Sequence, residues 1–74
     1  MRRGPRTYFL EDDALVVARG KRAWIVEFRG RRARFAHLDE AIRCAVGVDE
    51  SGATFLAQQI LQRGGGVQLV PPKR

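Results

Sequence analysis

The sequence has few residues of the kinds that bind metals or act as nucleophiles. Among its 74 residues there is one cysteine, Cys44, and one histidine, His37. A single cysteine excludes a disulfide within the chain, and the two residues together cannot supply the four ligands of a structural zinc site. A Cys–His nucleophile would also need an orienting group and an oxyanion donor. We therefore predict a protein that is not an enzyme and has no metal, cofactor or small-molecule substrate.

Long apolar runs are also lacking, since no stretch approaches the roughly 18 apolar residues of a membrane-spanning helix. The N-terminal Met1-Arg2-Arg3 is similar to the start of a signal peptide. However, Glu11, Asp12 and Asp13 interrupt the apolar segment that would have to follow it. We expect no membrane association and a cytoplasmic location.

The length predicts one domain over 1–74, with flexible basic arms at 1–6 and 71–74. An apolar fraction of 45% argues against general disorder. A chain this short buries only about 60% of its unfolded surface, so its core is thin. Small cores often gain support from disulfides, metals or self-association. Because the first two are excluded, the sequence points to a homodimer.

The charge is strongly positive, with 14 Lys and Arg against 8 Asp and Glu, for a net charge of +6. Such an excess favours polyanionic partners, either DNA or RNA. Twelve of the cations are arginine, which binds phosphate with two parallel hydrogen bonds. The absence of asparagine and the abundance of Ala, Gly, Arg and Val suggest another origin. A GC-rich genome would give the same bias without any binding role.

Alternating apolar residues predict strands in the first half of the chain. In the clearest strand, 23–28, Trp24, Val26 and Phe28 share one face. That phase makes Trp24 a core residue rather than a platform for a stacked base. Residues 15–18 form a preceding strand.

Residues 8–10 fit either a short strand or an apolar lead-in, and Tyr8 in this segment is expected on the surface. Arg29-Gly30 predicts a tight turn, followed by a strand over 31–36. The period of two places Arg32 and Arg34 on the face opposite Trp24.

The second half of the chain changes to helical spacing. Apolar residues recur at i, i+3, i+4, i+7 and i+8 over 38–46, and Gly47 ends this helix. A second stripe follows a cap at Asp49 or Ser51, and 67–70 forms a last strand. We predict an α+β fold of order β-β-β-α-α-β. In it, two helical segments cover one face of a three- to four-stranded antiparallel sheet.

The most specific functional pattern is a basic hairpin, with seven cations and one acid between Arg19 and Arg34. A two-stranded ribbon fits the major groove of DNA, and its guanidinium groups could contact phosphates or guanine edges. The alternative is a solvated sheet edge that arginines protect from pairing with other chains. The predicted nucleic-acid-binding residues are Arg22, Arg29, Arg31, Arg32 and Arg34.

A second functional class fits the same pattern. Ile25 lies on the outer face of the sheet, where a second subunit or another protein could bury it with the arginines at the rim. The protein would then be an interaction or homodimerisation module without a nucleic-acid role.

The pattern Trp24-x-Val26 on a hairpin, followed by Leu38-Asp39-Glu40-Ala41 at a helix start, resembles small bacterial domains of unknown function. The resemblance covers about residues 15–70 and implies a β-β-α-β core that often pairs as a dimer. This chain departs from those domains by inserting residues 47–52. The order β-β-β-α with basic strands is also similar to three-stranded DNA-binding domains of the integrase N-terminal and plant AP2 types.

Overall fold

The computed structural model describes residues 4–72 and confirms the α+β class. Of the predicted arms at 1–6 and 71–74, residues 1–3 and 73–74 lie outside the described residues. Four strands are followed by two helices and a short fifth strand. The elements are β1 (Arg6–Leu10), β2 (Asp13–Arg19), β3 (Trp24–Phe28), β4 (Arg31–Phe35), α1 (Leu38–Val46), α2 (Glu50–Gln62) and β5 (Gln68–Leu69).

The five strands form one sheet in the order β4-β3-β2-β1-β5, so β2 is the central strand. Neighbouring strands are antiparallel except β1 and β5, which are parallel. The sheet has one strand more than predicted, because residues 6–10 form a full strand rather than an apolar lead-in. Arg6, which the sequence assigned to the arm, is the first residue of β1.

Tight turns connect the antiparallel strands. Arg29 and Gly30 join β3 to β4 with φ angles of 51° and 79°, which confirms the predicted hairpin. Glu11 begins the β1–β2 turn with a φ of 58°. Positive φ angles match the right-handed twist of the flanking strands, although only glycine adopts them without strain.

Helix α1 begins and ends where the sequence predicts, and α2 begins after Asp49, one of its two predicted caps. Gly47 ends α1 in the left-handed conformation, with a φ of 87°, and its N–H donates to the Arg43 carbonyl at 2.9 Å. Asp49 caps α2, because its Oδ1 accepts a hydrogen bond from the Gly52 N–H at 2.7 Å. These caps satisfy backbone groups that helix ends leave unpaired.

The helices cover one face of the sheet, here called the inner face, and the core lies between the two layers. Burying a large apolar side chain in such a core contributes about 1.5–3 kcal/mol. The opposite, outer face has no helix packed on it. The largest fully buried side chains are Tyr8, Leu15, Val26, Ile42, Leu56 and Leu69.

Tyr8 is completely buried, so its prediction as a surface aromatic is wrong. Strand β1 turns Tyr8 inward and leaves Phe9 on the outer face, 40% exposed. The Tyr8 hydroxyl lies 2.8 Å from the carbonyl oxygen of Arg63 and 3.1 Å from that of Ile60, to which it donates. It therefore binds the carbonyl end of α2 to the sheet, and it is a second donor to the Ile60 carbonyl, which also accepts from the Arg63 N–H at 3.3 Å.

A side chain also holds the segment that follows β5. Gln59 on α2 is 8% exposed, and its amide forms two hydrogen bonds with Val70. Its Nε2 donates to the Val70 carbonyl at 2.9 Å, and its Oε1 accepts from the Val70 N–H at 2.7 Å. The amide thus replaces a neighbouring strand for this residue.

We expect Tyr8→Phe to lower the free energy of unfolding by about 1–2 kcal/mol, because it removes the buried hydroxyl that donates to two carbonyls at the end of α2. Urea denaturation followed by circular dichroism measures this change. Thr7→Val is the matched control, since it removes a hydroxyl from the exposed neighbour on the same strand. Equal effects of the two substitutions would contradict the assigned role of the Tyr8 hydroxyl.

Candidate nucleic-acid interface

The five predicted arginines do not share one surface. Arg32 and Arg34 lie on the outer face, as predicted, because they pair across the sheet with Glu27 and Ile25. Arg31 alternates with them and pairs with Phe28.

The other two arginines lie in turns. Arg29 is in the β3–β4 turn, and Arg22 is in the β2–β3 connection at the opposite end of the strands. The sequence places these residues close together, but the strands carry them to opposite ends of the sheet.

Neighbouring carboxylates neutralise Arg29. Its Nε lies 2.6 Å from Oδ2 of Asp13, and its guanidinium also contacts Oε1 of Glu11 at 3.7 Å. The same guanidinium lies 5.1 Å from the centre of the Phe28 ring, within range of a cation–π contact. Arg29 is thus engaged within the chain and is not free to bind a phosphate.

Arg32 and Arg34 differ in whether a carboxylate lies close to the guanidinium group. Arg32 Nε lies 3.7 Å from Oε2 of Glu27, its cross-strand partner, and both side chains are more than half exposed. Such an exposed pair contributes little to stability but offsets the local charge. Within residues 4–72, Arg34 has no carboxylate oxygen within 4.0 Å.

Several cations of the described chain have no ion pair, among them Arg31 on β4 and Arg43 on α1. Three more lie where β2 joins β3. Arg19, Lys21 and Arg22 are exposed, and within the described part of the chain they form no ion pair. Strand register places Arg34 at the same end of the sheet, opposite Ile25. We call this set of four cations, Arg19, Lys21, Arg22 and Arg34, the basic turn. Arg34 lies on the outer face, whereas Arg19 shares the inward phase of its partner Trp24, so the set surrounds this end of the sheet.

Trp24 lies beside the basic turn, half-buried against the core. The Arg19 guanidinium sits 4.9 Å from the centre of its ring. A cation–π contact holds this arginine against the indole and leaves its outer edge exposed. Trp24 therefore positions a cation and contributes to the core, in agreement with its predicted inward phase.

Carboxylates are concentrated at the other end of the sheet. Glu11, Asp12 and Asp13 form or border the β1–β2 turn, and Asp49 begins α2 on the same side. Asp39 and Glu40, in the first turn of α1, are the carboxylates that follow β4 at the basic end. The molecule consequently has an electrical polarity along its strands.

The central strand β2 is apolar on the outer face of the sheet. All three outward residues of β2, namely Ala14, Val16 and Ala18, are apolar, and Phe9 and Ile25 flank them on β1 and β3. Sequence reasoning identified Ile25 but missed Phe9. The signal for it was the run Tyr8-Phe9-Leu10, which is apolar at every position and so fits either face.

Groups that could hold a metal do not occur in the described residues. Over 4–72, no three His, Cys, Asp or Glu side chains lie together in such an arrangement. Cys44 is an exposed thiol on α1, and His37 precedes that helix without capping it. Neither helix of the described chain is long and apolar enough to cross a membrane.

The resemblance to small bacterial β-β-α-β domains rests on short motifs at Trp24-x-Val26 and Leu38–Ala41. It remains a prediction. Comparisons of this chain with protein-family models, curated proteins and solved structures found no match.

Proposed function

We propose that the protein is a non-enzymatic nucleic-acid-binding module that contacts phosphates through the basic turn. One observation carries the proposal: these four cations lie at the same end of the sheet, away from the acidic β1–β2 turn, and none has a carboxylate partner in the described chain. We also propose a cytoplasmic location, where such a module would meet DNA or RNA.

The chemistry of the basic turn suits a phosphate backbone. Arginine presents a planar fork that forms two hydrogen bonds to phosphate oxygens, and lysine adds a mobile point charge. The net charge of +6 attracts a polyanion from a distance before these contacts form. Favourable long-range attraction and unoccupied donors thus coincide at one end of the sheet.

The carboxylates near the β1–β2 turn disfavour an alternative in which the β3–β4 turn enters a groove of the nucleic acid. A phosphate approaching Arg29 would meet Glu11 and Asp13, which already bind this guanidinium. Breaking those pairs and bringing phosphate close to two carboxylates costs free energy. The β2–β3 end is therefore the approach that we favour.

The position of Trp24 indicates how the basic turn would contact nucleic acid. Trp24 is half-buried and lies against Arg19, so its ring faces are not free for base stacking. Contacts to phosphate position a protein on nucleic acid but carry no sequence information. We expect weak binding that tolerates sequence and depends steeply on salt.

Fluorescence anisotropy with labelled duplex DNA and RNA at several salt concentrations tests this proposal. Four phosphate contacts predict a slope of log K against log salt of roughly −3 to −4. Arg22→Ala should make this slope shallower by about 1, because one fewer counterion is released.

Arg43→Ala is the matched control, because it removes the same charge from α1. It should leave the slope unchanged. The proposal fails if low-salt binding is absent, or if the two substitutions alter the slope equally.

Arg29 provides a separate prediction. Because its charge is already compensated, Arg29→Ala should change the affinity for DNA or RNA less than about twofold, against the larger loss in Arg22→Ala. The free energy of unfolding should fall by less than about 1 kcal/mol, since both of its ion pairs are exposed. Parallel titrations and urea denaturation measure both effects. A loss of affinity as large as that of Arg22→Ala would place the contact at the β3–β4 hairpin instead.

A further inference from the structure

The outer face of the sheet has the composition of an interface. An apolar stripe crosses it, from Phe9 on β1 through Ala14, Val16 and Ala18 on β2 to Ile25 on β3. Thr7 and Glu27 flank Val16 on the neighbouring strands, and Arg32 offsets the charge of Glu27. The margin is polar, with Gln68 on β5 and Arg32 and Arg34 on β4. Apolar contact area within a polar rim is the usual anatomy of a protein–protein contact.

We propose that this face packs against the same face of a second copy of the chain. The apolar stripe offers nothing to a phosphate backbone, so this surface differs from the basic turn and shares only Arg34 with it. A second copy presents the same apolar stripe, and pairing two identical patches gives a closed two-fold dimer. Sheet-on-sheet packing would bury the apolar face that the helices leave uncovered.

The charges on the outer face select the orientation of the two copies. Arg32 and Arg34 lie on β4, along one edge of the sheet. The acidic β1–β2 turn, with Glu11 and Asp12, lies at the adjacent edge, where the strands end. Consider a two-fold axis that lies between the two sheets and runs along the diagonal from the β3–β4 turn to the start of β1. Rotation about this axis brings the β4 edge of one copy over the β1–β2 turn of the other copy. Each basic strand then lies over the acidic turn of the other copy.

The same rotation also matches the apolar side chains. Phe9, on β1, pairs with Ala14 at one end of β2. Ile25, on β3 at the other side of β2, pairs with Ala18 at the opposite end. Exchange across the diagonal places Phe9 of one copy over Ile25 of the other, with Val16 near the axis. The strands of the two sheets then cross at about 90°, one of the two common sheet packings.

Other arrangements bring like charges together. An axis perpendicular to the strands would stack β4 on β4 and oppose the arginines of both copies. Antiparallel pairing of two β4 edges would align them in one sheet, and edge arginines normally prevent such pairing. The diagonal arrangement is the one that pairs each cationic edge with an anionic one.

The dimensions of the face set the expected affinity. Strands β1 to β4, of five to seven residues, give a face of about 19 by 17 Å, to which the two-residue β5 adds little, and this is small for a stable interface. We expect a dissociation constant in the micromolar range. Sedimentation equilibrium of the full chain from about 5 to 200 µM covers this range.

Val16→Glu should weaken the dimer at least tenfold, because it places a charge at the centre of the contact. Thr54→Glu, an exposed substitution on α2, is the matched control and should leave the dimer intact. Circular dichroism confirms that both variants fold. A wild-type chain that stays monomeric at the highest concentration overturns the proposal, as does a folded Val16→Glu variant that associates as tightly as the wild type.

A charge exchange tests the orientation without altering the apolar stripe. Arg34→Glu and Asp12→Arg should each weaken the dimer about threefold to tenfold, and the double variant should recover most of the loss. Additive losses in the double variant would overturn the diagonal arrangement. Sedimentation without nucleic acid separates this result from the proposed function, which fails or holds in the anisotropy titrations alone.

A spin label on the native Cys44 allows the distance between the α1 helices of the two copies to be measured independently. Cys44 is exposed on α1, on the side of the molecule away from the outer face. Two sheets and two helix layers separate the labelled helices by about 30 Å or more. Pulsed electron spin resonance on the spin-labelled chain should give distances of this order. Distances below about 20 Å would show that the helices form the contact and would overturn the proposal.

Discussion

The central strand of the sheet is apolar on both faces, but the chain provides helices for only one of them. Leu15 and Val17 of β2 point into the core, whereas Val16 and the alanines beside it point outward. A strand buried on one face normally alternates apolar and polar residues. The uncovered apolar face therefore requires an explanation beyond the stability of the monomer, and a small chain has few other means of enlarging its core.

Cross-strand pairing decides which charges are available for binding. The basic hairpin has a high density of cations in the linear sequence, yet the fold sorts them by the carboxylates brought close to each. Arg29 meets Asp13, a residue 16 positions earlier, whereas Arg22 meets no carboxylate in the described chain. Net charge and clustering therefore indicate a class of partner, while the location of the binding surface depends on these non-local pairs.

The sequence predicts those parts of the fold that local periodicity determines. The bounds of α1, the Arg29-Gly30 turn and the outward phase of Arg32 follow from residue spacing. The burial of Tyr8 could not be predicted, because its neighbours are apolar on both sides and its hydroxyl partners lie 52 and 55 residues away. The available cations of the candidate site were likewise hidden, since ion pairing depends on the register of three strands.

The two hydrogen bonds between Gln59 and Val70 hold the end of the closing strand to α2. The strand and its approach are otherwise held by pairing with β1, by the buried Leu69, by the Gln68 side chain and by the hydrogen bonds of the Phe9 N–H to Val67 and the Gly66 N–H to Thr7. So short a strand can detach as a unit while the remaining sheet stays folded. Detachment bares the edge of β1, whose free backbone groups would accept the corresponding segment of another molecule. Gln59 thus guards against strand exchange between copies at high concentration.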